Sequence, residues 1–464
     1  MTPDWAIVIN IALIFVLMFA AKMIKEKLGI FKNVIIPTSL LAGFFGLIIG
    51  PQVIGLIDFD LLLYEKMVFH FMAIGFIALT LSEQSVKQKS DSVKSGLFIV
   101  ATYCFQGVVG MLAVLALIYT IKPELFVGLG LMLPLAYGQG PGFASSIGGS
   151  WDEVLPYGFI NQYGLTLSTM GFLVGGVVGV ILLNYYIRKY KIPVARLSSL
   201  KGLESKQLTI TSIKEINFFD NLTVQLTWIC IIYIASFLTI TGLAFVLEPL
   251  GEIGYTLASL LKGFNYLFGI LLAMAFKRLM LFLSKRGHRA EPLLDKYLMH
   301  NIASLSFNIM IAASIMAISV EAIKGYWELL LVVSLVGAVA SFFFITWLGR
   351  KVFLNHTLHY ILAMFGMLTG TASTGMALLR GLDPNLDTDV AKNFVLGSAF
   401  GAPLGLPLMV MLGFPIIGYT HNNPTYYWIT FLGILAYTFL MVGVLLFKTH
   451  REKKAMGSGT GVSA

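Results

Sequence analysis

The chain has 464 residues, 57% of them hydrophobic and only 12% charged, with a formal net charge of +9. Soluble domains carry roughly 25% charged residues, so this composition excludes a soluble enzyme, a disordered chain and a nucleic-acid binder. It fits an all-α polytopic membrane protein, because a spanning helix needs about 20 apolar residues and the length has room for about ten or more.

In chain order, the apolar runs predict spans near 5–24, 34–54, 67–82, 96–120, 157–187, 219–247, 255–276, 298–320, 326–348, 394–418 and 426–447. The first run follows Met1-Thr2-Pro3-Asp4-Trp5, which has no positive segment, so it reads as a span rather than a cleaved signal peptide. Two further apolar stretches, 125–150 and 357–380, are too rich in Gly, Ser and Thr at their middles for simple spans. The implied organisation is a first five-span repeat over 1–187 and a cytoplasmic linker over 188–218. A second repeat over 219–418, an extra helix over 419–447 and a cytoplasmic tail over 448–464 follow.

Charge placement orients this scheme. With the N-terminus outside and the C-terminus cytoplasmic, 28 of the 32 Lys and Arg residues fall inside. Only Lys66, Lys122, Lys262 and Lys324 fall outside, as the positive-inside rule requires. The net charge is therefore topology and attraction to an anionic leaflet. A full span at either odd stretch would set the basic loops on its two sides in conflict. Both are therefore expected to be re-entrant hairpins, entering and leaving on one side.

A shift of 233 residues lays Gly140-Pro141-Gly142-Phe143-Ala144 on Ser373-Thr374-Gly375-Met376-Ala377, Gly148 on Gly381 and Gly164 on Gly397. Five spans per half is an odd number, so the halves are expected to be inverted. Inverted repeats with interrupted helices are a signature of secondary transporters.

The hairpin middles carry the candidate chemistry. The first holds Gly138, Gln139, Gly140, Pro141 and Gly142, with Ser145 and Ser146 just beyond. Such a run cannot continue a helix, and unwound backbone at membrane depth must be buried in protein or line a cavity. Its carbonyls can hold a cation and the following helix start an anion. The alternative is a tight packing corner. The second holds Thr369, Gly370, Thr371, Ser373 and Thr374. These hydroxyls can ligate a hard cation or donate to a carboxylate, or else bond back to the i−4 carbonyl. Arg380 is a candidate partner for an anion or an interfacial arginine beside Asp383. Asn161 and Gln162 follow the first hairpin and join the candidates. Gln106, Thr166, Ser168 and Asn308 are further polar residues within spans, expected mainly to satisfy neighbouring helices. His70, the only histidine well inside a span, reads as a packed, hydrogen-bonded residue.

Acidic residues lie at span ends or in loops, with Glu83 nearest a span core, which disfavours a carboxylate proton relay. Cys104 and Cys230 both sit in apolar runs and make no disulfide or zinc pattern. No Walker A, triad, HExxH or CxxC motif supports enzyme chemistry.

These motifs resemble the bacterial sodium/glutamate symporter family. Gly138-Gln139-Gly140-Pro141-Gly142-Phe143-Ala144 is similar to that family's Gly-His-Gly-Thr-Gly-Ala-Ala stretch. Tyr163-Gly164 with Phe172-Leu173-Val174-Gly175-Gly176 resembles the helix that follows it, and Ile36-Pro37 with Ala42-Gly43 the start of the second span. Phe365-Gly366 with Thr369-Gly370-Thr371 resembles the second hairpin, and Asn301-Ile302-Ala303-Ser304-Leu305-Ser306 a span of the second half. Pro403 and Leu406 stand where the family carries Asp and Asn, Thr38 where it often carries an acid, and Ala377 where it has an Asn. The resemblance implies a homodimer in the bacterial plasma membrane, working by an elevator motion. It implies Na+ as coupling ion and a small organic anion, glutamate or another amino or carboxylic acid, as substrate. An uncoupled channel or exporter on the same scaffold, and a transport-dead membrane sensor, are the rival readings.

Overall fold

The computed structural model describes residues 3–27, 37–82, 90–190, 218–247, 249, 254, 258, 261–262, 265–285, 294–383 and 388–458. Ile36, Glu83 and most of the 188–218 linker lie outside the described residues. Within them all regular structure is helical. The helices are α1 (Pro3–Lys27), α2 (Thr38–Ile49), α3 (Leu61–Ser82) and α4 (Ser90–Thr120). A 3₁₀ turn (Val127–Leu131) and a wide π-type turn (Pro134–Gln139) lead to α5 (Pro141–Val154) and α6 (Ile160–Lys189). Then come α7 (Phe218–Leu247), α8 (Asn265–Lys285), α9 (Lys296–Met316), α10 (Trp327–Val352), α11 (Thr357–Thr369) and α12 (Ala372–Leu382). The last are α13 (Val390–Leu404), α14 (Leu406–Met411), α15 (Gly413–Thr420) and α16 (Thr425–Ser458).

Among the described residues eight helices are long and apolar enough to cross a membrane, and they coincide with eight of the eleven expected spans. Part of a further one, 255–276, lies outside the described residues, and its described part joins the helix Asn265–Lys285. The other two differ: among the described residues the 34–54 run yields the 12-residue α2. The 394–418 run is cut into α13, α14 and α15, with Pro403, Pro407 and Pro415 removing backbone donors along it.

Burial sorts the long helices. The apolar windows of α1 and α7 are 22% buried and that of α16 28%, whereas that of α4 is 78% buried. Helices apolar all round yet mostly uncovered suit lipid, and α4 is the axis of the bundle. The extra helix α16 is fixed to that axis. The buried Lys94 ammonium lies 2.6 Å from Asp91 and 2.7 Å from Glu452.

Packing divides the molecule into two groups. Helices α1, α2, α3, α7, α8 and α9 pack on one another, with α3 against α9 the most extensive pairing. Against α4 pack α10, α13, α16 and the two broken segments, and α6 packs on those segments and on α10. The groups meet chiefly where α5 lies against α3 and α9. His70, on α3, is hydrogen-bonded at Nδ1 to the Tyr233 hydroxyl of α7 at 2.6 Å, so it ties helices of the first group together.

Candidate functional site

Each broken segment folds back on itself. In the first, Phe126 before the first arm lies edge-on to Trp151 near the end of α5, with ring centroids 5.7 Å apart. The Tyr157 hydroxyl donates to the Glu124 carbonyl at 2.9 Å. Both ends therefore sit together, next to Tyr419 and Tyr427 at the α15–α16 connection. In the second, α11 and α12 touch through glycine: a Cβ on Gly366 would stand 2.8 Å from Gly375 Cα. Its ends join the opposite end of the bundle. Tyr360 stacks on Phe353 at 3.8 Å and accepts from Asn393, whose side-chain carbonyl accepts from Ser92 at the start of α4.

The two segments thus come from opposite ends, and their tips meet halfway along α4. The Tyr103 hydroxyl donates to Gly138 O at 3.0 Å. Buried Gln106 donates to Leu368 O at 2.8 Å and to Ser341 Oγ at 2.9 Å. Gly171 of α6 fits between the tips, since a Cβ there would lie 2.6 Å from Thr369 O and 2.8 Å from the Tyr137 ring. Tyr137 is anchored in turn, its hydroxyl bonding Ser334 of α10 at 2.7 Å.

The expected site residues separate into three sets. Gly138 and Gly142 are closely packed: a Cβ on the former would meet Tyr103, and one on the latter the sulfurs of Met72 and Met310. Gly140 is different. Its φ of 91° and ψ of −178° belong to a region essentially reserved for glycine, and a Cβ there would meet no atom within 4 Å. Pro141 starts α5 beside it, and Gln139 is half-buried at the end of the first arm. Ser145 and Ser146 are buried on α5, and the Ser146 hydroxyl has no hydrogen-bond partner among the described residues. Gly140→Leu carries a backbone cost of about 1–3 kcal/mol here. The outcome to check is a lowered melting temperature. An unchanged melting temperature would contradict the assigned backbone.

In the second segment Thr369 bonds back to Phe365 O at 2.7 Å, the non-functional alternative for that hydroxyl. Gly370 ends α11, and Thr371 caps α12 by accepting from the Thr374 amide at 3.2 Å. The Ser373 side chain lies outside the described residues. Arg380 is exposed in the last turn of α12, about 14 Å along the helix from the tip, and is not brought to it. Asp383 accepts from the amide and hydroxyl of Thr388.

Asn161 and Gln162 also lie away from the tips. Both donate to the Glu65 carboxylate of α3, Asn161 at 2.9 Å. Gln162 further donates to Ala317 O at 3.0 Å and accepts from the Ser319 amide at 2.7 Å. This polar clamp closes the boundary between the two packing groups at the end where the first segment opens. Thr166 and Ser168 bond back to carbonyls one turn earlier.

At the other end of the same boundary is a cavity of about 550 Å³. It is lined by Met18, Phe19, Lys22 and Lys25 of α1, the start of α2, Asn308 and Ile311 of α9, and Thr374 and Ala377 of α12. Only Thr374 and Asn308 among these were candidates from sequence. Lys22 and Lys25 were absorbed by the positive-inside pattern, and their spacing of three was the signal that both share one face. Among the described residues no group of three or more His, Cys, Asp or Glu could hold a metal ion. Comparisons with protein-family models, characterised proteins and solved structures find no match for this chain.

Proposed function

We propose that the protein is a cation-coupled secondary transporter of a small organic anion, with Na+ as the coupling ion. The observation that carries this reading is the meeting of two broken, folded-back segments from opposite ends of the bundle at the middle of its most buried helix. Unwound backbone in that position has a use where it lines a path for solutes. The unpaired, neutral oxygens of Gln106 Oε1 and Ser146 Oγ are donors suited to a hard cation. Two re-entrant hairpins in inverted repeats account for the arrangement. The order α2, α3, α4, broken segment, α6 recurs as α8, α9, α10, broken segment, α13–α15.

The two packing groups support an elevator motion, in which the α4 group carries the hairpins past the other group in a homodimer of the bacterial plasma membrane. The Glu65 clamp closes one end of the boundary and the cavity opens the other, as expected of one of two alternating states. The resemblance to sodium/glutamate symporters points the same way. In proteoliposomes, an inward Na+ gradient should drive accumulation of a labelled carboxylic or amino acid, and collapsing the gradient should release it. Flux indifferent to the gradient would favour an uncoupled carrier, and binding without flux a sensor; either result would sink the proposal.

A further inference from the structure

The cavity beside α12 has a lining of one electrostatic sign. Of the eleven residues that face it, two are lysines and none is acidic. Lys22 and Lys25 lie three apart on α1, so their ammonium groups share a face, and neither forms an ion pair among the described residues. Helix α2 begins at the same wall. Pro37 occupies its N-cap and supplies no capping side chain. The Leu40 and Leu41 amides bond Pro37 O, so the helix presents its positive end at this wall.

Ser39 provides an independent sign of a ligand. It is 2% exposed, it lines the cavity, and its hydroxyl has no hydrogen-bond partner among the described residues. Buried hydroxyls are nearly always paired, so one left unpaired at a cavity wall is a donor in waiting. Across the cavity Asn308 and Thr374 add neutral polar groups, and Met18 and Phe19 an apolar wall. The volume suits a small metabolite. It lies between the two packing groups, so a ligand held there touches α1, α2 and α9 on one side and α12 on the other.

We infer that this cavity recognises a compact organic dianion of the dicarboxylate type, and that it does so in preference to an amino acid. Two ammonium groups and a helix start are matched by two negative groups. An α-ammonium would find no carboxylate among the lining residues and would face two lysines. That this dianion is also the transported substrate rests on the transport reading; its binding here does not.

The test uses the purified full chain in nanodiscs of zwitterionic lipid, reading melting temperature against succinate, glutamate and propionate. A ligand stabilises in proportion to the logarithm of its concentration over its Kd. Succinate is expected to stabilise at concentrations at least about tenfold below those of the other two, since each lost charged bond weakens binding by roughly tenfold. Lys22→Gln and Lys25→Gln should each weaken succinate by about tenfold, and Ser39→Ala by about threefold, with ligand-free melting temperatures unchanged. Glutamate equal to succinate, or lysine variants that bind like the parent, would overturn the inference. So would stabilisation by phosphatidic acid with no response to succinate, which would make this a lipid headgroup site. Binding is read without a gradient. Succinate bound through Lys22 and Lys25 but never accumulated would keep the site and remove the transporter. Gradient-driven accumulation of another solute with no succinate binding would do the reverse.

Discussion

Gly110→Ala is expected to destabilise the protein by about 3 kcal/mol, the upper end for overpacking, and Gly130→Ala to do the same. These two glycines are where α4 crosses the first arm, backbone on backbone. A Cβ on Gly110 would fall within contact distance of the Gly130 carbonyl, 2.9 Å from its carbon even at the second-nearest atom. Neither side can yield, because both neighbours are main chain. Gly107 stands one turn away on the same helix, and a Cβ there would find its nearest atoms at 3.5 Å, an ordinary contact. Gly107→Ala should therefore stabilise, by roughly 0.5–1 kcal/mol, through the lower entropy of the unfolded chain. Melting temperatures of the three purified variants check the sign at each position. A Gly110→Ala protein as stable as the parent would mean that the two backbones do not cross so closely.

Gln106→Leu is expected to cut uptake by more than about tenfold. The amide holds the second hairpin tip by Leu368 O and holds Ser341 of α10 as well. Leucine fills the space and leaves both partners buried and unpaired, at about 1–3 kcal/mol. The first tip has its own tether from α4, and Tyr103→Phe removes only the bond to Gly138 O, worth about 1 kcal/mol. Uptake should thus fall by more than about tenfold in the glutamine variant and by less than that in the tyrosine variant. Normal transport by a stable Gln106→Leu protein would show that the tethers do not hold a working geometry.

The broken segments were legible in the sequence because their signal is local. Gly140-Pro141-Gly142 and Gly370-Thr371 interrupt an apolar run whatever surrounds them, and the breaks fall at Gly140 and at Gly370–Thr371. The contents of the site were less legible. Asn161 and Gln162 are near the first tip in sequence, but the fourteen residues of α5 carry the chain about 21 Å back toward the end of the bundle before α6 begins. Thr369 reads as a donor to a ligand until the i−4 carbonyl of Phe365 is seen to take it. Lys22 and Lys25 were hidden by a sufficient explanation, since any lysine at an inner helix end obeys the charge rule. Their role depends on α12 and α9 arriving from residues about 280 or more further on, and no periodicity records that. The cutting of the 394–418 run was missed because hydropathy averages over prolines that end helices individually.

The contact at Gly142 bears on how easily one packing group could travel over the other. The glycine offers no side chain to catch, and what presses on it is thioether: Met72 from α3 and Met310 from α9. Sulfur contacts have little directional preference, and an unbranched side chain with three rotatable bonds can follow a moving surface by changing rotamer. No hydrogen bond has to break at that point for displacement to begin. The seam is thus latched by polar groups at the Glu65 end and lubricated in its middle. Oxidation of either thioether would replace a yielding surface with a polar, branched one and turn the bearing into a brake.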